Sequence, residues 1–220
     1  MSKYKLVEGS LGNLPAKNQV GSYPRNSTVD DMRYPISTTR SFFALLNDAI
    51  LKTEVTNNRD VVKLEIGLSK VRSLAKLSHS NGNRVIFIGN GGSSAIASHM
   101  AVDFTKNGGI RAIAFNDAPT LTCLANDFGY EHVFSKQLEY YATDGDLVII
   151  VSSSGKSGNI MQAAEQAFSQ GLDLITFSGM RVNNVLRRKG ILNFYVPAND
   201  YGLVELAHLT LLHSIVSVSD

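Results

Sequence analysis

Two pairs of acidic and imidazole side chains are the strongest candidates for chemistry in this sequence. His99 and Asp103 stand four residues apart, which places them on one face of a helix. Glu205 and His213 stand eight residues apart in an apolar segment near the C-terminus, on about one side of another helix. Carboxylate and imidazole groups commonly move a proton beside a carbonyl, and a pair on one helix face, such as His99 and Asp103, can also bind a metal ion. The sequence leaves two alternatives open, a metal site and a buried hydrogen-bonded cluster.

A glycine-rich segment after a predicted strand is a candidate binding loop, which we call the glycine loop: Gly89-Asn90-Gly91-Gly92-Ser93-Ser94. Its glycines allow a tight turn and close approach of a ligand, and its serines can cap the next helix and donate hydroxyl groups. A dinucleotide fingerprint needs a third glycine at Ser94, which weakens that interpretation, although Asp117 could stand for the acidic partner of the fingerprint. A tight turn that binds nothing is the remaining alternative.

A serine-rich segment after another predicted strand is the second candidate, which we call the serine loop: Ser152-Ser153-Ser154-Gly155-Lys156-Ser157. Its last three residues resemble the end of a Walker A motif, but Ile150 replaces the first glycine of that motif, which argues against ATP. Four hydroxyl groups and the free amides of a helix start suit one phosphate monoester on a small substrate. A serine-rich helix cap without a ligand is the alternative. We therefore expect no nucleotide cofactor.

Both loops need parallel strands whose carboxyl ends meet at one edge of a sheet. Short apolar runs alternate with helix-length segments and predict five strands, over residues 84–88, 111–115, 147–151, 172–177 and 193–196. This alternation indicates an α/β fold with a five-stranded parallel sheet covered on both faces.

Helical spacing of apolar residues predicts a first helix over about residues 38–52 and a second over about residues 60–78. The last helix, roughly residues 201–218, is apolar around nearly its whole circumference, so it must be buried on all sides. One side can pack on the sheet, and another subunit most easily covers the other. We therefore expect a homo-oligomer that uses this helix and the first helix as interfaces.

The composition is that of a compact globular protein, because 44% of the 220 residues are hydrophobic and 18% are charged. This length argues for one domain, residues 37–220, after an irregular N-terminal arm, residues 1–36, that shows no apolar period.

The net charge of +2 gives no field that would attract nucleic acid or an anionic membrane, and no apolar run is long enough for a membrane helix. We therefore expect no nucleic-acid partner, no membrane association and a cytoplasmic location. The single cysteine, Cys123, agrees with a reducing compartment, and we expect it to be a buried core thiol.

Three motifs in this order resemble the sugar isomerase (SIS) domain family, specifically its sedoheptulose 7-phosphate isomerase (phosphoheptose isomerase) branch. They are Gly89-Asn90-Gly91-Gly92-Ser93, Asn126-Asp127-Phe128-Gly129-Tyr130 and the serine loop, and the resemblance covers about residues 38–218. It implies a flavodoxin-like three-layer α/β/α sandwich and a homotetramer with sites between subunits. It also implies that the following residues bind phosphate or contact the sugar: Ser152, Ser153, Ser154, Ser157, Asn90, Gly91, Gly92, Ser93 and Asp117.

The same resemblance implies roles for the acidic and imidazole residues. In the family, the positions of His99, Asp103, Glu205 and His213 look like a zinc site, and those of Asp103 and His213 also look like the catalytic base and acid. We expect Glu205 to take part in catalysis beside them. The sequence departs from the family pattern, because Asp103 replaces a glutamate and Glu205 replaces a glutamine. Asn107 replaces an arginine of the family pattern, Gly202 replaces an acidic residue, and Ile96 replaces an aspartate.

The resemblance implies an aldose–ketose isomerase that converts sedoheptulose 7-phosphate to D-glycero-D-manno-heptose 7-phosphate through an enediol. The product would serve heptose synthesis for lipopolysaccharide or capsule. The substituted positions favour an alternative, a non-catalytic SIS module that binds a sugar phosphate or a protein partner as a regulator. An isomerase for a different sugar phosphate is chemically close to the first hypothesis.

Overall fold

The computed structural model describes Ile36, residues 38–58 and residues 60–218. These residues form a seven-stranded sheet with helices packed on both faces. The strands are β1 Glu54–Asn57, β2 Asp60–Val62, β3 Val85–Gly89, β4 Ala112–Ala114, β5 Leu147–Ser152, β6 Asp173–Ser178 and β7 Leu192–Tyr195. The helices are α1 Thr39–Leu51, α2 Leu64–Ser80, α3 Gly92–Lys106, α4 Ala118–Phe128, α5 Ser135–Tyr141, α6 Gly158–Ser169 and α7 Tyr201–Ser217. Two 3-10 turns span Tyr130–His132 and Val185–Arg188.

The strand order is β2-β1-β7-β6-β5-β3-β4. The five strands from β7 to β4 are parallel, which confirms the α/β fold and each of the five predicted strands. β1 and β2 add an antiparallel hairpin beside β7, so the predicted sheet of five strands is corrected to seven. The chain turns at Asn58, whose φ of 47° is one that asparagine tolerates. Residues 60–62 therefore return as a strand, and α2 begins at Leu64 rather than at about Asp60.

Each face of the sheet carries its own core, because side chains alternate along fully buried strands. On β5, Ile149 and Val151 belong to a core that includes residues of α1, α2, α3 and α7. Val148 and Ile150 belong to a core that includes residues of α4, α5 and α6. The result is the three-layer sandwich that the resemblance implied.

The first and last helices, α1 and α7, pack against each other. α1 begins in a capping box, in which Thr38 Oγ1 accepts the amide of Ser41 and Ser41 Oγ accepts the amide of Thr38, each at 3.1 Å. α7 buries most of its apolar residues within the chain, but Leu206 on α7 and Phe43 on α1 are exposed. The expected burial of α7 on all sides within an oligomer stays a prediction.

Cys123 is exposed, so the expectation of a buried core thiol was wrong. α4 buries only Leu124, and the neighbouring position points outward. The predicted N-terminal arm lies outside the described residues apart from Ile36, and the single domain over residues 37–220 stays a prediction. Within the described part of the chain, no helix combines the length and the apolar character needed to cross a membrane.

Candidate active site

The glycine loop and the serine loop lie side by side at one edge of the sheet. β3 leads into the glycine loop and β5 into the serine loop, and these strands are neighbours with Gly89 opposite Val151. Each loop leads into a helix, α3 at Gly92 and α6 at Gly158. The first turn of a helix presents unpaired backbone amides, so this edge of the sheet favours an anionic ligand.

A reciprocal pair of amide groups joins the two loops. Asn90 Nδ2 donates to Asn159 Oδ1 at 2.8 Å, and Asn159 Nδ2 donates to Asn90 Oδ1 at 2.9 Å. The hydroxyl of Tyr130, from the third quoted motif, lies 3.5 Å from the same oxygen of Asn90. Asn159 is buried in the first turn of α6. It was not among the predicted site residues, because its partner lies far away in the sequence and no local pattern indicates the pairing.

The serine loop keeps several hydroxyl groups free for a ligand. Ser152 Oγ accepts the amide of Gly155 at 3.2 Å and so stabilises the turn of the loop itself. Ser153 Oγ is buried without a hydrogen-bond partner among the described residues. Ser157 caps α6, but its side chain makes no capping hydrogen bond, and Ser154 is partly exposed. Buried hydroxyl groups are normally paired, so this arrangement fits a phosphate that accepts hydrogen bonds from the loop.

Asn184 supports the serine loop from inside the protein. Its Nδ2 donates to the carbonyl oxygens of Ser153 at 3.0 Å and Gly179 at 2.9 Å, and its Oδ1 accepts the amide of Leu186 at 3.0 Å. Gly155 passes directly over this side chain with a φ of 59°, and a Cβ atom there would lie 1.9 Å from Asn184 Oδ1. Glycine at this position is therefore needed for both the backbone conformation and the space.

His99, Asp103 and His213 form a cluster between α3 and α7. His213 Nδ1 lies 3.0 Å from Asp103 Oδ2, and His213 Nε2 lies 3.1 Å from His99 Nε2. Asn107 Nδ2 donates to the other carboxylate oxygen of Asp103 at 3.1 Å. The side chains are 53% exposed for His99, 38% for His213 and 15% for Asp103. If neutral His213 donates from Nδ1 to Asp103, its Nε2 is an acceptor, and the proton between the two imidazoles belongs to His99.

Glu205 lies at the glycine loop and not in this cluster. A Cβ atom at Gly92 would be 2.4 Å from Glu205 Oε2, so the carboxylate packs against the first residue of α3. His213 follows eight residues later, ~12 Å further along the axis of α7. The predicted four-ligand set is therefore corrected to three residues that share one place, with Glu205 two helical turns away. Burial and the charge of Asp200 raise the pKa of Glu205 above its usual value, which suits a general base.

The three clustered residues fit a metal ion. One ligand atom from each of His99, Asp103 and His213 lies within 4.8 Å of the others. Ligands of tetrahedral zinc lie ~2.0–2.2 Å from the ion and hence ~3.3 Å from one another. His99 Nε2 lies 3.1 Å from His213 Nε2 and 3.8 Å from Asp103 Oδ2, on either side of this value. The two contacts of His213 involve different ring nitrogens, so a change of its ring orientation would accompany metal binding. Two imidazoles and a carboxylate with an open fourth position are typical of catalytic zinc sites.

Asp117 stands at the same edge of the sheet, after β4. Its Oδ2 accepts the amide of Thr120 at 3.1 Å and the Thr120 hydroxyl at 2.6 Å, so it caps α4. These two hydrogen bonds lower the pKa of Asp117. Its side chain is exposed and keeps one oxygen free of these bonds, so the predicted sugar contact stays a prediction.

His208, the other histidine of α7, faces the core and not the cluster. It is fully buried, and its Nε2 lies 3.0 Å from the carbonyl oxygen of Ser178. Burial lowers the pKa of His208 to about 4, so the ring is neutral at physiological pH. Its role is structural, in the contact between α7 and β6.

Comparison with known proteins identifies relatives along most of the chain. The phosphoheptose isomerase of Aliarcobacter butzleri is 32% identical over 185 residues, which are 80% of this chain and 97% of that protein. The phosphoheptose isomerase of Fusobacterium nucleatum is 34% identical over 173 residues, which are 75% of this chain and 89% of that protein.

Solved structures show the same fold. The phosphoheptose isomerase of Neisseria gonorrhoeae is similar with a TM-score of 0.67 and 25% identity, over 80% of this chain and 92% of that one. The model of the SIS domain family matches residues 53–179, which include β1, both loops and the end of β6. The chain belongs to the SIS domain family.

Proposed function

We propose that this protein is an aldose–ketose isomerase that converts sedoheptulose 7-phosphate to D-glycero-D-manno-heptose 7-phosphate. The observation that carries the proposal is the similarity to phosphoheptose isomerases over 97% and 89% of their lengths. The loop geometry and the clustered acid–base residues agree with it. Heptose for lipopolysaccharide or capsule would be the destination of the product.

The phosphate of the substrate would bind at the serine loop. The hydroxyl groups of Ser153, Ser154 and Ser157 and the amides at the start of α6 are the donors. The Asn90–Asn159 pair holds the glycine loop at a fixed distance from this phosphate site. The sugar chain would then extend over the glycine loop, where Gly91, Gly92 and Ser93 would lie beside it.

The reacting end of the sugar would lie toward the cluster on α3 and α7. His99 stands seven residues after Gly92, ~10 Å along the helix. A substrate that carries its phosphate and its carbonyl at opposite ends of a long chain suits this separation. Enediol formation needs a base for the proton on the carbon next to the carbonyl, and an acid for the oxygen.

Asp103 and His213 are our proposed base and acid. Their contact of 3.0 Å lets the carboxylate fix the orientation of the imidazole and stabilise its protonated form. Glu205 is the alternative base, because its raised pKa and its place at the glycine loop give it access to the sugar. Turnover by Asp103→Asn and Glu205→Gln at saturating substrate distinguishes them, since loss of the true base should lower kcat by ~10²–10⁴-fold.

Zinc is the proposed metal, held by His99, Asp103 and His213. When bound, it would supply a Lewis acid that polarises substrate oxygens. Since Asp103 and His213 would then be ligands, Glu205 would act as the base in the zinc-bound enzyme. Elemental analysis of protein purified without chelator or histidine tag tests this part separately. We expect about one zinc ion per chain. Trace metal that does not rise on addition of zinc would contradict the site and leave the hydrogen-bonded cluster.

A homotetramer and a cytoplasmic location complete the proposal and stay predictions. The exposure of His99 and of apolar residues on α1 and α7 supports an oligomer, since a partner subunit would exclude water from the cluster. Light scattering measures the assembly directly.

Formation of heptose 7-phosphate from sedoheptulose 7-phosphate, followed by anion-exchange chromatography, tests the activity. We expect product with the wild-type chain and product formation ~10²–10⁴-fold slower with His213→Ala. Tight binding of the substrate without product would instead favour the regulatory alternative.

A further inference from the structure

A cleft of about 430 Å³ lies at the amino-terminal ends of β6 and β7. The glycine and serine loops follow the carboxyl ends of parallel strands, so the cleft is at the opposite edge of the sheet. The end of α6, the start of β6, the end of β1 and the segment before β7 form its walls. Its volume falls within the range of ~300–1,000 Å³ that is usual for small-molecule sites. The proposed isomerase reaction does not use it.

Three consecutive cationic residues line the cleft: Arg187, Arg188 and Lys189. Arg187 is fixed, because its guanidinium group lies 4.0 Å above the Tyr195 ring and 2.6 Å from Glu54. Arg188 is exposed and makes no hydrogen bond or ion pair with any described residue.

Lys189 pairs with Glu165, and both side chains are partly exposed. Exposed ion pairs of this kind are weak, so the Lys189 ammonium can turn to a ligand. Since Glu165 is the only carboxylate among the residues that line this cleft, cations are in excess there. The cleft therefore favours an anion, and arginine with lysine suits a phosphate group in particular.

An exposed aromatic ring stands beside these cations. Phe168, at the end of α6, is 81% exposed, although it lines the cleft. The nearby wall is apolar and consists of Ala164, Leu172 and Leu174. A large apolar side chain left open to water beside a cleft often marks a binding surface, and a phenylalanine ring can stack on a planar group of a ligand.

We propose that the cleft binds a small phosphorylated molecule with a planar ring, such as a nucleoside diphosphate. Its phosphates contact Arg188 and Lys189, and its ring stacks on Phe168. A sugar phosphate matches less well, because it lacks a planar apolar group to cover Phe168. The cleft is thus a second site, separate from the proposed phosphate site in the serine loop.

Calorimetric titration of the full chain with ADP tests the proposal, with and without sedoheptulose 7-phosphate. We expect one ADP per chain in both conditions. Arg188→Ala should weaken binding at least ~10-fold, since it removes a charged donor, and Phe168→Ala should weaken it ~3-fold or more. Both side chains are exposed, so neither change should disturb folding or isomerase activity. The matched control Lys76→Ala removes an exposed charge on α2 that does not line the cleft and should leave binding unchanged.

Four results would overturn the proposal. The first is the absence of any heat of binding at millimolar ADP, and the second is equal weakening of ADP binding by Arg188→Ala and Lys76→Ala. The third is equal affinity of the protein for inorganic pyrophosphate and for ADP. The fourth is loss of ADP binding in the presence of the sugar phosphate. The third would show that the ring is not recognised, and the fourth would place the nucleotide in the isomerase site. If the isomerase assay fails, this titration can still be interpreted, because the effects of Arg188→Ala and Phe168→Ala on ADP binding are enough to show whether ADP binds in the cleft.

Discussion

Replacing Gly155 with alanine should damage the serine loop more than its single added methyl group suggests. The φ of 59° is in the left-handed region, which costs an alanine ~1–2 kcal/mol. The new Cβ would also lie 1.9 Å from Asn184 Oδ1, so the buried amide must move. That side chain makes three hydrogen bonds, each worth about 1 kcal/mol. We therefore expect the free energy of unfolding to fall by about 3–5 kcal/mol.

Gly171→Ala is the matched control, because it carries the backbone strain without the clash. Gly171 has a φ of 69°, and no atom lies within 4 Å of a Cβ built there. Its substitution should cost only the strain, ~1–2 kcal/mol. The difference between the two variants isolates the support that Asn184 gives to the loop.

Urea denaturation followed by circular dichroism gives both free energies of unfolding, and calorimetry gives the affinity for sugar phosphate. Gly155→Ala should also weaken phosphate binding, because Asn184 holds the carbonyl oxygen of Ser153. Gly171→Ala should leave that affinity unchanged. Equal losses of stability in the two variants, within ~0.5 kcal/mol, would refute the role assigned to Asn184.

Three further predictions concern binding, catalysis and pH dependence. Ser154→Ala and Ser157→Ala should each weaken sugar-phosphate binding by ~1.5–3 kcal/mol in calorimetry, and unchanged affinity in both would place the phosphate elsewhere. His213→Ala should lower kcat by ~10²–10⁴-fold with little change in the dissociation constant of the substrate, whereas wild-type turnover would exclude it as the acid. Burial lowers the pKa of His208 from 6.5 to about 4, so protonation favours the unfolded chain and the free energy of unfolding should fall by about 3 kcal/mol as the pH drops from 6.5 through 4. In denaturation curves, the His208→Gln variant should lose this part of the pH dependence of the free energy of unfolding. The same dependence on pH in the variant and the wild type would contradict the role of His208.

Local patterns were sufficient to predict the elements that position the site. Continuous apolar runs indicated the buried strands β3 and β5, and the glycine and serine loops at their ends were visible from composition alone. The first helix was predicted for the same reason, since both its apolar spacing and its cap at Thr38 depend on residues close in sequence. The hairpin of β1 and β2 was missed because both strands are short and only partly buried.

Contacts between distant residues account for what the sequence did not predict. Asn159 pairs with Asn90 across 69 positions, and Asn184 reaches the serine loop from 31 positions away. Helical spacing placed Glu205 and His213 on about one side of α7 and ~12 Å apart along its axis, but it could not show which of the two faces Asp103 on α3. The structure shows that Glu205 faces Gly92, whereas His213 faces Asp103.

Incubation with sedoheptulose 7-phosphate in deuterated water tests the central claim most directly, with the product followed by NMR. An isomerase that works through an enediol transfers the hydrogen of the sugar by way of acid–base groups such as those of Asp103 and His213. These groups exchange their protons with solvent, so the transferred hydrogen is replaced by deuterium. We predict heptose 7-phosphate with deuterium at the carbon next to the carbonyl. Bound substrate that is neither isomerised nor deuterated, with the enzyme saturated with zinc, would contradict the account.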